Sequence, residues 1–386
     1  LLDHPEENYP IIHVTGTNGK GSSIAFMSQL FAEHKKKVGT FTSPHMVSIY
    51  DRICVNHKPI SDKDFVRIGR RIQAMERQLL RTQDSLSYFE ILTLIALLYF
   101  EEEQVDVALI EVGIGGLLDA TNVVIGDVAV VTSVGLDHQE TLGDSIVAIA
   151  EQKAGIFKKK ERAVIGPLAE EARRVCELRA DELGVVLYEY GRDFSFSKGQ
   201  FSNQDKMIVG LQLGLKGTYQ EENAAVALQS FLLFMKQQNW QPQVKWIRKA
   251  LQETHWAGRL EYFERGIYLD GAHNLPALSR LVEFIRQQEQ KEIFLLFGAL
   301  KRKNYQGMLS YLKQELPDVR LTITTFEDDD AIDKRNLTTE TYVSSYREFI
   351  EQFIKNSNDN QLLFVTGSLY FIAEVRAFLL EKELTA

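Results

Sequence analysis

The sequence predicts two α/β domains. The first is a doubly wound, mainly parallel sheet with helices on both faces and a small antiparallel ribbon. The second is smaller and Rossmann-like. Three observations predict this. Strand-like apolar runs alternate with amphipathic, helix-like stretches along the chain. Runs such as DVALIEVG and VAVVTSVG are continuously apolar, as parallel strands covered on both faces are. Each ends in Gly, Ser, Thr, Asp or His, the residues that build loops at the carboxyl edge of such a sheet.

The order opens with YPIIHVTG, the amphipathic SSIAFMSQLFAEHKKK, and VGTFTS. ILTLIALLYF is too short to span a bilayer and reads as a buried helix. A further helix is expected over 144–157. The polar, alternating SFSKGQFSNQDKMIVGLQLGLKG reads as the antiparallel ribbon, and helices follow at about 220–237 and 243–253. The strand-to-loop pattern then restarts with GIYLDGAHN, EIFLLFGAL, VRLTITTF and QLLFVTGS. The boundary is placed in the WAGRLE stretch, giving domains 1–257 and 258–386 with a cleft between them.

With 386 residues the chain exceeds one ordinary core. Hydrophobic residues at 45% and charged residues at 25% are those of a globular protein. A net charge of -9 argues against nucleic acid or a membrane surface as partner. Cys54 and Cys176 have no paired spacing, so neither a disulfide framework nor a zinc site is supported. No signal peptide is visible, and a monomeric cytoplasmic enzyme is the expectation. Leu1 is not a methionine, so an N-terminal segment preceding it is expected.

The stretch TGTNGKGSS at 15–23 stands behind the first strand. Gly16, Gly19 and Gly21 allow close approach of the backbone, so several N–H groups can face one anion. The helix that begins near Lys20 adds its positive end, and Lys20 offers a point charge to β and γ phosphates. The first domain is therefore P-loop-type. Yet the usual loop, G-x-x-x-x-G-K-[ST], would need glycine at Val14 and a hydroxyl at Gly21. The hydroxyl that normally holds magnesium is missing. EVGIGGLLD fails the dinucleotide pattern too, because Leu118 stands where its last glycine would be.

HVTGTNGKGS resembles the signature of the folylpolyglutamate synthase/dihydrofolate synthase family, within the Mur-type ATP-dependent amide ligases. The resemblance continues through FTSPH (41–45), EVGIGG and DATN (111–122), LDH with its LG (136–143), QKAGI (152–156), ENAAVAL (222–228), W-x-GRLE, DGAHN (270–274) and TGSLYF (366–371). It implies a Mur-type central ATP-binding domain over 1–257 and a C-terminal glutamate-binding domain over 258–386. ATP would be held by Asn18, Gly19, Lys20, Gly21, Ser22, Asn223, Arg259 and Asp270. Mg²⁺ would be held by Ser43, Glu111 and His138, with Lys153 as a carbamate giving a further oxygen ligand. Oxygen donors suit Mg²⁺, which a neutral histidine alone would not. Arg259 would meet the γ-phosphate and Asp270 a ribose hydroxyl. His273 and Ser368 would hold the incoming glutamate, and Phe89 with Glu90 would form part of the folate wall. Lys20, Arg259 and His273 form the implied catalytic set. Taken singly, Ser43 also reads as a turn residue, His138 as a helix cap, Lys153 as a salt-bridge lysine and Glu90 as a helix cap.

The implied activity joins L-glutamate to the γ-carboxylate of a reduced folate through an acyl phosphate, with dihydropteroate as a second acceptor. Two rivals share the loop: a Mur-type ligase for a peptidoglycan precursor, and a nucleotide-hydrolysing switch. TSPH and DATN speak against the first, DGAHN and the missing Walker hydroxyl against the second. The sequence departs from the family at Leu117, where relatives carry arginine, at Leu275 before Pro276, and at Arg302 and Asn304, where acidic residues are usual.

Overall fold

The computed structural model describes residues 2–79, 85–159, 161–288 and 291–382. They form two compact units, Leu1–Gly214 with Gln220–Thr254, and Leu215–Tyr219 with His255–Ala386.

In the first unit, β1 (Ile11–Thr15) leads through a glycine turn into α1 (Lys20–Glu33) and β2 (Val38–Phe41). Then come β3 (Ile53–Val55), β4 (Lys58–Pro59), α2 (Asp62–Leu79), α3 (Tyr88–Glu102), β5 (Val107–Glu111) and β6 (Val128–Val131). The short α4 (Gln139–Leu142) and α5 (Ile146–Ala154) precede β7 (Arg162–Ile165), α6 (Glu170–Leu183) and β8 (Val186–Glu189). The sheet order is β4-β3-β2-β5-β1-β6-β7-β8. From β2 to β8 every pairing is parallel, while β3 and β4 run antiparallel at one edge. Every residue of β1, β5 and β6 is buried, which is why these runs carry no alternation.

The chain leaves β1 toward β2 on one side and later reaches β6 on the other. The carboxyl end of β1 is thus a switch point, where open α/β sheets bind ligands. Helix starts follow local chemistry. In α3, Ser87 Oγ accepts from Glu90 N at 3.3 Å and Glu90 Oε2 accepts from Ser87 N at 2.7 Å, a capping box. α5 is shorter than the 144–157 expected. Ser145 caps it, its Oγ accepting from Ala148 N at 3.1 Å, so the helix starts only at Ile146, and it ends at Ala154.

The ribbon is present as β9 (Phe194–Ser197), β10 (Gln200–Asn203) and β11 (Met207–Ile208), followed by α7 (Tyr219–Gln237) and α8 (Val244–Glu253). The second unit contains β12 (Glu261–Phe263), β13 (Ile267–Leu269), α9 (Leu275–Arg286), β14 (Glu292–Phe297), α10 (Tyr305–Glu315), β15 (Arg320–Thr324), β16 (Tyr342–Val343), α11 (Tyr346–Asn356), β17 (Gln361–Thr366) and α12 (Leu369–Glu381). Its order is β12-β13-β17-β14-β15-β16, with only β12 antiparallel. Among the described residues, no helix is long and apolar enough to cross a membrane.

Candidate active site

The glycine turn after β1 is locked to the exit of β6. Thr17 N donates to Ser133 O at 2.9 Å, and Asn18 N donates to Ser133 Oγ at 2.9 Å. Thr132 Oγ1 donates to Asn18 O at 2.6 Å, and Thr17 Oγ1 exchanges hydrogen bonds with the Gly135 backbone at 3.0–3.1 Å. Gly19 takes φ 87°, a left-handed conformation that favours glycine, and caps α1. Gly16 is required by closeness, since a Cβ there would lie 1.9 Å from Thr132 Oγ1. Lys20 Nζ donates to Gly16 O at 2.8 Å, which holds the ammonium over the turn at the positive end of α1. Gly21 offers no side chain, and Ser22 is buried beside it. A rigid loop, a helix N-terminus and a lysine charge make an anion cradle.

The other expected ligands lie along the same sheet edge. Ser43 stands just beyond β2, and its N donates to Oε2 of Glu111, the last residue of β5, at 3.2 Å. Glu111 is only 3% exposed. His138 follows β6 at the cap of α4, its side chain 40% exposed, with Nε2 at 3.9 Å from Asp137 Oδ1. Lys153 lies in α5 and is 3% exposed. Burial, and then the charge of Lys20, bring its amine down to about 7, against the opposing pull of Asp137. Among the described residues no ion pair closes on Lys153. The structure therefore joins Ser43 with Glu111, and it brings the charges of Lys20 and Asp137 to bear on Lys153.

The loop behind β5 ties these groups together. Thr15 Oγ1 donates to Gly115 O at 2.6 Å, and Leu117 N donates to Gln152 O at 2.7 Å. Gly116 has no room for a side chain, because a Cβ would lie 2.7 Å from Gln152 O. Phe89 stacks on Phe41 with ring centroids 5.6 Å apart and lies against Gly113, two residues beyond Glu111. Glu90 has the capping role described above. Asn223 lies against the glycine turn, where a Cβ on Gly19 would meet its Oδ1 at 2.3 Å.

In the second unit, Asp270 follows β13 and is buried. Its carboxylate accepts from Leu260 N and Ala272 N, both at 3.0 Å. Burial raises its pKa, and the Arg259 charge works against that rise. Arg259 packs on Gly271, where a Cβ would lie 2.6 Å from its Nη1. His273 Nδ1 donates to Gly271 O at 2.8 Å, which makes Nδ1 the protonated nitrogen. Ser368, buried at the cap of α12, leaves β17, the neighbour of β13, and Gly367 N donates to Ala272 O at 3.1 Å across the two loops.

The departures have local explanations. Leu275 shifts Pro276 by one place but keeps it in the first turn of α9, where a missing N–H costs nothing. Arg302 pairs with Asp330 at 2.8 Å, and Asn304 caps α10 through Gly307 N at 3.1 Å. Leu117 is 43% exposed, and nothing in the structure replaces the arginine of relatives. Sequence reasoning missed Thr132, Ser133 and Asp137. Their signal was the TSVGLD run between β6 and His138, polar just where a buried strand ends.

The family model for the Mur ligase middle domain matches residues 14–231, and that for the Mur ligase, glutamate ligase domain matches 258–369. Folylpolyglutamate synthase of Lacticaseibacillus casei is 34% identical, covering 98% of this chain and 92% of that protein. Dihydrofolate synthase/folylpolyglutamate synthase of Bacillus subtilis is 32% identical, over 97% and 91%. A structure described as an FPGS-AMPPCP-folate complex superposes with a TM-score of 0.87 at 34% identity, covering 98% of this chain and 92% of that one. The bifunctional folylpolyglutamate synthase/dihydrofolate synthase of Yersinia pestis, complexed with AMPPNP and Mn ion, gives 0.87 at 28% identity, over 98% and 91%.

Proposed function

The chain belongs to the folylpolyglutamate synthase/dihydrofolate synthase family of Mur-type ATP-dependent ligases, and we propose that it joins L-glutamate to the γ-carboxylate of a reduced folate. The observation that carries this reading is the glycine turn locked between β1 and β6, with Lys20 over it, in a chain of this family. A carboxylate oxygen of folate attacks the γ-phosphorus of ATP, and the bond to the β-phosphate oxygen breaks, giving an acyl phosphate and ADP. The glutamate amine then attacks the acyl carbon, forms the amide, loses a proton and releases inorganic phosphate. The turn and Lys20 position the triphosphate and disperse its charge as the phosphoryl group moves. Arg259 is proposed for the same charge, Asp270 for the ribose, His273 and Ser368 for glutamate, and Phe89 for the folate wall. The Bacillus subtilis relative is named for both reactions, and dihydropteroate offers the same carboxylate chemistry, so it is included as an acceptor.

Folate labelled with ¹⁸O in its γ-carboxylate tests the route. The label is expected in inorganic phosphate, because the acyl phosphate hands one carboxylate oxygen to phosphorus. Label in AMP would mean an acyl adenylate and would overturn the mechanism.

Mg²⁺ fits the donors present: a buried carboxylate, Glu111, joined to Ser43 on the loop edge beside the phosphate turn. When bound, the ion supplies charge to offset the β and γ phosphate oxygens. Lys153 is proposed as a carbamate, its neutral amine adding to the carbon of CO₂ and losing one proton to solvent. The amine, brought down to about 7, is substantially unprotonated near neutral pH. With ¹³C-bicarbonate, a carbamate carbon signal is expected in the wild type and none in Lys153→Ala. No signal in folded wild-type protein would exclude the carbamate.

A further inference from the structure

Gln220 is fully buried in the first turn of α7, at 0% exposure, and both ends of its amide are engaged. Its Oε1 accepts from Asn223 Nδ2 at 2.9 Å, and its Nε2 donates to Ser22 Oγ at 3.4 Å. Both partners border the phosphate turn: Ser22 lies in the first turn of α1, and Asn223 stands against Gly19. A third tie joins the same helices, with Ser23 Oγ donating to Asn223 O at 3.4 Å.

An asparagine amide has two faces of similar shape and opposite hydrogen-bonding sense, and the network around it decides which points where. Here Gln220 takes the Nδ2 side, so Oδ1 is the atom turned to Gly19. A buried amide must find partners inside the protein. Backbone carbonyls could take only its Nε2 hydrogens, and its Oε1 needs a separate donor. Both ends find partners in two residues that border the phosphate turn.

We infer that Gln220 is a positioning residue for the nucleotide: it fixes the amide of Asn223 in one orientation and holds the start of α7 against the phosphate turn. The inference rests on the reading of Asn223 as a nucleotide contact. Without the Gln220 acceptor, the Asn223 amide can turn over and present a donor where the bound nucleotide requires an acceptor. Affinity for ATP then falls, while the chemistry at saturating ATP and the folate site stay as they were.

The test is a double-mutant cycle on the full chain, with ATP and folate kinetics, calorimetric binding of a non-hydrolysable ATP analogue and melting temperature measured together. Asn223→Ala is expected to raise the KM for ATP roughly tenfold and Gln220→Met about three- to tenfold, with kcat and the folate KM within about twofold, on the scale of one lost hydrogen bond to a ligand. Gln220→Met should add nothing further in the Asn223→Ala background. Gln220→Glu keeps the acceptor at the same length and should remain within about threefold of wild type for ATP. Additive effects, or a normal ATP KM in folded Gln220→Met beside a raised one in Asn223→Ala, would overturn the positioning role. A normal ATP KM in Asn223→Ala would remove the nucleotide reading of Asn223, and this inference with it. Should Gln220→Met fail to fold, Gln220→Glu decides: an ATP KM within about threefold of wild type in that folded variant supports the positioning role, and a larger rise overturns it.

Discussion

Replacing Lys20 by alanine is expected to lower the ligation rate at least about a hundredfold while the protein stays folded. The size follows from what the residue does when phosphate moves. Removing one preorganised charge from a developing transition state costs roughly 3–4 kcal/mol, or a factor of about 10²–10³ in rate. The folded state loses much less. A hydrogen bond such as that from Lys20 Nζ to Gly16 O contributes about 1 kcal/mol. The turn keeps its bonds to Thr132, Ser133 and Gly135 in any case. Steady-state ligation and thermal melting of the same preparation check both halves. An active Lys20→Ala protein with unchanged ATP dependence would remove the anion cradle from the mechanism.

The strands that place this cradle were legible because they are covered on both faces. The continuous apolar runs of β1, β5 and β6 leave no solvent side to encode, so period and length alone identified them. The glycine turn was legible for a related reason: its conformation and close packing admit no side chain at Gly16 or Gly19. What escaped depends on register between distant segments. The antiparallel pair β3 and β4 is three and two residues long, too short for a periodic signal. Asp137 stands beside a recognisable histidine, but only the folded edge brings its charge to bear on Lys153. Glu90 shows the reverse. Its spacing from Ser87 is a capping signature, and that is the role its carboxylate has. Gln220 gave no signal, since an amide in a helix acquires meaning only from the partners that folding supplies.

Magnesium is expected to depend most on Glu111, proposed to stand in for the hydroxyl missing at Gly21. Ser22 cannot fill that place by simple substitution. It lies one residue further along α1, about 100° around the helix, and its hydroxyl already accepts from Gln220. Glu111 ends the strand next to β1, is almost completely buried, and is joined to the backbone N of Ser43. Its position is therefore set by the sheet rather than by a mobile loop. Among the protein's own proposed ligands, it carries the permanent negative charge. Glu111→Gln retains the size and an acceptor for the Ser43 N–H but removes that charge. The Mg²⁺ concentration for half-maximal activity should rise at least about tenfold, equivalent to roughly 1.4 kcal/mol. Ser43→Ala should be milder, about threefold or less, because water can replace a neutral hydroxyl in an octahedral shell that already keeps several waters. Direct Mn²⁺ binding, followed by its paramagnetic signal in the presence of a non-hydrolysable ATP analogue, should weaken in the same order. Wild-type metal dependence in Glu111→Gln, or metal binding that is lost only on changing Ser22, would show that the ion is held elsewhere.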